Sequence, residues 1–263
     1  TYFGLRLPSS EQRQPLDEGQ RQTGGEIQEI QENQENPWKH VKLDETLDLN
    51  LDEPAPHAMA HEPIFISIDI ESNERCHLQV TEIGISVFDT RDLNGIPPGE
   101  NASNWTSRIR SRHLRVREYA HVVNHDFVAG CPDRFEFGES EWASREEMPS
   151  LIQGYIMQLA SGGDEERNLV FVGHSPSADI KYLQEMKVPV FKELNDTPVF
   201  IDIIDTAEIY RVSRQETNPR SLGGVLAELG VTAWHLHNAG NDARYTLEAM
   251  TMLAMPTSDQ GEE

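Results

Sequence analysis

The chain has 263 residues, a formal charge of −23 and a mean hydropathy of −0.57. A chain this acidic carries no overall field that draws in a polyanion, which excludes a simple nucleic-acid-coating protein but not a metal-dependent enzyme acting on one strand end. Its length holds one sizeable domain plus a tail, or two small domains.

Residues 1–60 hold 12 acids and 5 bases and are rich in Gln, Glu, Asn and Pro, as in EIQEIQENQENP. Few apolar residues recur with any period. Such a stretch cannot bury enough surface to offset its ordering entropy, so the sequence predicts an acidic, mostly disordered tail. Within it, Lys39 to Asp52 carries Val41, Leu43, Leu47, Leu49 and Leu51, a segment suited to docking on the domain or on a protein partner. Cys76 and Cys131 make no disulfide framework and offer no zinc spacing, which points to an intracellular protein, nuclear or cytoplasmic. No apolar run approaches the roughly 18–20 residues of a membrane helix, so no membrane partner is expected.

The domain is expected over 61–256, with a short tail at 257–263. It opens on PIFISIDIE, Pro63 to Glu71, a run of β-branched and aromatic residues that reads as a strand buried on both faces. VTEIGISVF at 80–88 is a second strand, close enough in sequence to be its antiparallel neighbour. WTSRIRSRHLRVR at 105–117 is the one basic segment, where Arg108, Arg110 and Arg112 share a strand face. That face is either a charged edge or a phosphate contact. Residues 118–142 read as an ordered loop. Ser144 and Glu147 form a capping-box signature for the helix carrying Leu151, Ile152, Tyr155, Ile156 and Leu159. LVFV at 169–172 and FIDII at 200–204 are short buried strands. Helices are expected from a first turn at Pro176 through Ala178 to Met186, from a cap within Asn218–Ser221 to Leu229, and from Asn238 or Asn241 onward with Ala243, Leu247, Met250 and Leu253 on one face. Early strands followed by alternating helices and strands imply an α/β layered fold with a mixed sheet.

Asp69 and Glu71 are one residue apart in the first strand, so their side chains project to the same side. Two adjacent carboxylates repel, and burying them calls for a cation between them, most simply a hard divalent ion with oxygen ligands. A lone D-x-E is more often a strand end reaching solvent. Asp179, in the first turn of a helix, and His237, in a loop, also have ordinary structural explanations when taken singly. So does Asp242, at the start of the last helix.

Taken together, DIE at 69–71, HSPSAD at 174–179 and HNAGND at 237–242 resemble the three motifs of the DEDDh 3′–5′ exonucleases, over about 190 residues. TEIG at 81–84, IDT at 204–206 and SLGGVLAELG at 221–230 agree with that resemblance. Ser175 and Ala178 stand where the family often has Asn and an aromatic residue. The resemblance implies a ribonuclease H-like three-layer fold, with a central mixed β-sheet flanked by helices. It also implies Asp69, Glu71, Asp179 and Asp242 as ligands of two Mg²⁺ or Mn²⁺ ions, and His237 as general base. Such a pair of ions activates a water and stabilises the leaving oxygen. A loop His has a pKa near the working pH.

The candidate substrate contacts are Ile70, Ser72 and His174, beside the motif residues, and the three arginines. The expected substrate is a single-stranded nucleic acid, RNA favoured over DNA, shortened from its 3′ end. The tail, the arginine segment and NHDFVAGCPDRFEFGES at 124–140 are similar to a fungal branch of this fold associated with messenger-RNA export and RNA silencing. The alternative is therefore an exonuclease-fold module that binds RNA or protein with little turnover. It differs from the first reading in lacking metal-dependent shortening of a labelled strand.

Overall fold

The computed structural model describes residues 62–162, 166–192 and 199–255. The expected tails at 1–60 and 257–263 lie outside the described residues. Six strands form one sheet: β1 (Ile64–Asn73), β2 (Cys76–Asp89), β3 (Arg110–Val116), β4 (Ser140–Ala143), β5 (Leu169–Gly173) and β6 (Phe200–Asp205), in the order β4-β3-β2-β1-β5-β6. β1 and β2 are an antiparallel hairpin, β3 is antiparallel to β2, and the β3–β4, β1–β5 and β5–β6 pairs are parallel. The sheet is therefore mixed, as the element order implied.

The helices are α1 (Ser103–Thr106), α2 (Met148–Ser161), α3 (Ser177–Glu185), α4 (Pro189–Lys192), α5 (Thr206–Ser213), α6 (Leu222–Glu228) and α7 (Ala239–Leu253). Strand alternation sends Ile64, Ile66, Ile68 and Ile70 of β1 to one face. There they join Ile83, Ile85 and Val87 of β2 and Leu114 and Val116 of β3. Met148, Ile152 and Ile156 of α2, Leu183 of α3 and Phe191 of α4 cover them. The other face of β1 presents Phe65, Ser67, Asp69 and Glu71 to the side on which α7 packs across β1, β2 and β3. Behind α7, Tyr210 of α5 and Val225 and Leu226 of α6 close a second cluster around Tyr245 and Ala249. The result is three layers, helices on both faces of a mixed sheet.

α7 is buried nearly all round, not only along its expected apolar face. Its buried Arg244 is spent internally, donating to the carbonyls of Ile109 and Thr106 and to Glu248. This ties the helix to the segment that enters β3.

Two local expectations change. The basic strand forms only over Arg110–Val116, because Ser103–Thr106 turns into a helix around the buried Trp105. β3 is not an edge, because β4, within the stretch read as loop, pairs alongside it. A four-residue strand of polar pattern carries too little periodicity to be recognised alone. The capping box forms both bonds, Ser144 N–H to the Glu147 carboxylate at 2.8 Å and Glu147 N–H to the Ser144 hydroxyl at 3.3 Å.

Candidate active site

Beyond Ser67, β1 runs on without its parallel neighbour, since the β1–β5 register ends at the Ser67–Val172 pair. β5 stops at Gly173 and the chain turns sharply into α3. A Cβ at Gly173 would lie 2.5 Å from the Cβ of Pro176, so the turn needs the missing side chain. This leaves the β5 side of β1 open where Asp69 and Glu71 sit. α3 fills the gap with Asp179, whose Oδ1 accepts the Ile70 N–H at 3.0 Å. A backbone donor that loses its sheet partner is thus satisfied by a motif residue.

α7 brings the fourth carboxylate. Its N-cap Asn238 accepts the Asn241 N–H at 3.2 Å and donates to the carbonyls of Cys131 and Pro132. The helix start can approach the sheet because Gly84 lies beneath it: a Cβ at Gly84 would stand 1.8 Å from the Ala239 carbonyl oxygen. Gly84 is the register partner of Asp69. Gly240 serves the same approach from the helix side, where a Cβ would meet Phe135 and His113 within 2.8 Å. The small residues in TEIG and HNAGND therefore let Asp242 descend beside Asp69 and Glu71.

His237 and Asp242 are joined through the backbone. The His237 N–H donates to Asp242 Oδ2 at 3.0 Å, and the His237 carbonyl accepts the Cys131 N–H at 3.3 Å. His237 has φ of +65° and is exposed, so its ring is free of the core. Asp242 is 8% exposed, and its Oδ1 is buried with no hydrogen-bond partner. Ligand atoms of Glu71, His237 and Asp242 lie within 4.8 Å of one another, the one such group among the described residues. His237 thus stands at ligand distance, closer to the carboxylates than a distant base would be.

The electrostatics match the geometry. Burial, then the charges of Asp242, Asp179, Glu71 and Glu82, holds the Asp69 carboxyl well above its ordinary range. Glu71 is pushed up to about 8 by burial and then by Asp242, Glu82 and Asp179. Asp179 rises to about 7 by burial, against the Ile70 hydrogen bond. Asp242 rises to about 7 by burial, against the His237 N–H and with Glu82 and Asp179 adding to the rise. Burial is the largest cause for all four carboxyls, and their mutual repulsion adds to it for Asp69, Glu71 and Asp242.

Glu82 went unnoticed in the sequence. It is the register partner of Glu71, buried at 4% exposure, and accepts from His113 Nε2 at 2.9 Å; Ser140 bonds the other ring nitrogen at 2.8 Å. The signal was TEIG itself, where Glu82 falls on the same strand face as Gly84.

The remaining candidates are placed elsewhere. The Ile70 side chain lies in the core, and only its N–H serves the site. The Ser72 hydroxyl bonds Tyr182 at 2.8 Å and its carbonyl takes Asn124. His174 is engaged at both ring nitrogens, by Thr206 at 2.9 Å and the Arg220 carbonyl at 2.8 Å. Burial lowers its pKa. Arg110 pairs with Asp92, and Arg112 makes a two-point pair with Glu141 and stacks over Tyr155 of α2. That is the sheet face opposite Asp69 and Glu71. Arg108 is exposed and precedes β3. The structure therefore does not bring the arginines to the carboxylates, because strand alternation sends Arg110 and Arg112 to the wrong face.

Comparison with known proteins places the chain in a family. The family described as DNA polymerase III subunit epsilon-like, C-terminal domain, matches residues 64–253. Saccharomyces cerevisiae Good for full DBP5 activity protein 2 is 32% identical over 200 residues, 70% of this chain and 34% of that protein. An uncharacterized protein of the same yeast, YDR514C, is 32% identical over 209 residues, 74% of this chain and 41% of its own length. The uncharacterized nucleolar protein C2C4.08 of Schizosaccharomyces pombe is 30% identical over 188 residues, 71% of this chain and 67% of that protein. The chain thus spans well under half the length of the two S. cerevisiae relatives. The solved structure of exonuclease I is similar over 73% of this chain and 40% of its own, at 10% identity and a TM-score of 0.49. On the match that runs from the first strand of the sheet through α7, the chain belongs to the DEDDh_C family of DNA polymerase III subunit epsilon-like domains.

Proposed function

We propose that the domain at 61–256 is a metal-dependent 3′–5′ exonuclease acting on single-stranded nucleic acid, with residues 1–60 and 257–263 outside the catalytic unit. The observation that carries this reading is the buried Asp242 Oδ1, without a hydrogen-bond partner, on a residue grouped with Glu71 and His237 among carboxylates whose pKa values are raised to about 7–8. A buried oxygen of this kind is costly unless a cation takes it up. The donor set is almost all oxygen and suits Mg²⁺ or Mn²⁺. Asp69, Glu71, Asp179 and Asp242 are the residues that would hold two such ions. When bound, the ions supply Lewis-acid activation of water and charge neutralisation at the scissile phosphate.

The chain's own contribution is positioning and proton transfer. Asp242 divides its work: Oδ2 fixes the backbone of His237, and Oδ1 is left for the cation. Asp179 uses Oδ1 to hold the open edge of β1, which keeps the Asp69–Glu71 pair in place. His237, pinned through both its N–H and its carbonyl, turns an exposed imidazole toward the cluster. There it takes the proton of the attacking water as general base. The acidity of the cleft also disfavours phosphates until cations are present, so substrate binding and metal binding are coupled.

RNA is favoured over DNA, in keeping with the resemblance to the fungal messenger-RNA export branch. A nuclear setting is supported by the nucleolar name of the S. pombe relative. No helix among the described residues is long and apolar enough to cross a membrane. The other reading, a module that binds RNA or a protein with little turnover, draws on the S. cerevisiae relative whose name refers to DBP5 activity.

The test is digestion of 5′-labelled RNA and DNA single strands of matched sequence with Mg²⁺, with Mn²⁺ and with chelator. The expected result is a ladder shortened from the 3′ end, faster on RNA and abolished by chelation. Metal-dependent binding with no shortening would replace this reading by the binding module.

A further inference from the structure

The β1–β2 hairpin and the His237 loop are bridged by a segment that neither the metal cluster nor the core explains. Residues 124–130 close on themselves, with Gly130 N–H donating to the Asn124 carbonyl at 3.0 Å. The base of this loop lies against the site. Asn124 donates to the Ser72 carbonyl at 2.8 Å and accepts the Glu74 N–H at 3.0 Å. At the other end, Cys131 N–H donates to the His237 carbonyl, and its thiol lies 3.1 Å from the Leu236 carbonyl.

The tip is held just as firmly. The Glu74 carboxylate accepts the N–H groups of His125, Asp126 and Phe127 at 3.2, 2.9 and 3.0 Å. These bonds hold the Glu74 pKa down to about 2, so the clamp stays charged at any working pH. Yet the loop so fixed presents Phe127 at 80% exposure, beside Val128 at 40%. An ordered, exposed phenyl ring buries nothing in the fold.

Charge decides what could cover it. Asp126, next to Phe127, is paired with Arg75, so the tip keeps one negative charge, that of Glu74, which is turned toward the loop's own N–H groups. A single strand entering the cleft is not met by Arg110 and Arg112, which are paired on the opposite face. Base stacking does not depend on charge and tolerates any sequence.

We infer that Phe127, on the loop clamped by Glu74, is a stacking platform for a base near the 3′ end of the single strand that enters the Glu71–His237 cleft. This rests on the nucleic-acid reading proposed above and adds a subsite to it. Phe127 touches no reacting atom, so its contribution is to substrate binding.

Phe127→Ala and Phe127→Trp test it on a short 5′-labelled single strand. Turnover is followed in Mg²⁺, and affinity is measured in parallel by fluorescence anisotropy in Ca²⁺. Phe127→Ala is expected to raise KM and Kd about tenfold, the order of one stacked base, with kcat within about twofold. Phe127→Trp is expected to restore both. Replacing the 3′-terminal nucleotides one at a time by an abasic residue is expected to erase the difference between wild type and Phe127→Ala at one position. Equal KM and Kd for Phe127→Ala and wild type, with wild type turning over, overturns the platform and leaves the exonuclease reading standing. Phe127-dependent binding without shortening upholds the platform and overturns hydrolysis. A Phe127→Ala variant that keeps strand affinity but loses a protein ligand assigns the ring to that partner and overturns the inference.

Discussion

Glu71 and Glu74 are three residues apart on the same hairpin and titrate at opposite ends of the scale, at about 8 and about 2. Glu74 sits at the tip in solvent and receives three backbone N–H groups. Glu71 sits in the cleft, faces Asp69, Asp242 and Glu82, and receives no compensating cation from the described chain. Outside the cleft, Asp89 pairs with Arg167, Glu141 with Arg112 and Asp133 with Arg115. The lesson is that these carboxylates are met by an arginine of the chain, whereas those gathered in the cleft have raised pKa values and a buried Asp242 Oδ1 without a hydrogen-bond partner, an arrangement that suits an external cation.

The contrast breaks most completely with Asp69→Asn. One charge of the D-x-E pair is lost, and turnover should fall below detection. The metal-free variant should melt a few degrees above wild type at pH 8, since relief of about 1 kcal/mol of repulsion moves a domain of this size by roughly 2–4 °C. Activity within a few-fold of wild type would remove the site assignment.

His237→Ala comes next, with a fall in kcat of about 10²–10⁴ at saturating metal. Metal affinity by calorimetry should change no more than a few-fold. A large drop in affinity with a normal rate at saturating metal would make His237 a ligand, a role its place within 4.8 Å of Glu71 and Asp242 permits.

Gly84→Ala tests the architecture instead of the charge. Its Cβ would collide with the Ala239 carbonyl, so α7 must shift and carry Asp242 with it. Stability should fall by about 1–3 kcal/mol, and kcat should drop even where the protein is fully folded. Denaturant melts and saturating-metal kinetics on the same sample separate the two. Unchanged kcat would mean that the approach of α7 does not set the site.

The same contrast governs the pH dependence of stability. Folding raises Glu71, Asp179 and Asp242 from 4.5, 3.8 and 3.8 to about 8, 7 and 7. Between about pH 4 and 8 the native state therefore holds protons that the unfolded chain has lost. Metal-free stability is greatest below the unfolded pKa values as far as these groups are concerned, and falls as pH rises through 7–8. Added Mg²⁺ or Mn²⁺ should raise the melting temperature more at pH 8 than at pH 6, because the ion competes with protons at the lower pH. A metal-free melting curve unaffected by pH across this window would show that the cleft acids are compensated within the protein.

Much of this was legible in the residues. Apolar runs marked β1, β2, β5 and β6, and Ser221 and Asn238 cap α6 and α7 where the sequence placed starts. The pairing of Asp69 with Glu71 follows from strand alternation alone. So does the separation of Arg110 and Arg112 from them, once register is known. What stayed hidden had partners far away in the chain. Glu82 gains meaning from His113 at a separation of 31 residues, Gly84 from Ala239, and Asp179 from an Ile70 N–H freed by the end of the β5 pairing.

Local periodicity by itself determined β1, β2, β5 and β6 and most of the helices. Short-range sterics and i, i+2 or i, i+4 geometry act within a few residues. Only the tertiary structure decided the edge strand, the burial of α7, the fifth acid in the cleft and the loop that carries Phe127. Each of these rests on strand register and contacts between segments 27 to more than 150 residues apart, and no local pattern encodes such contacts.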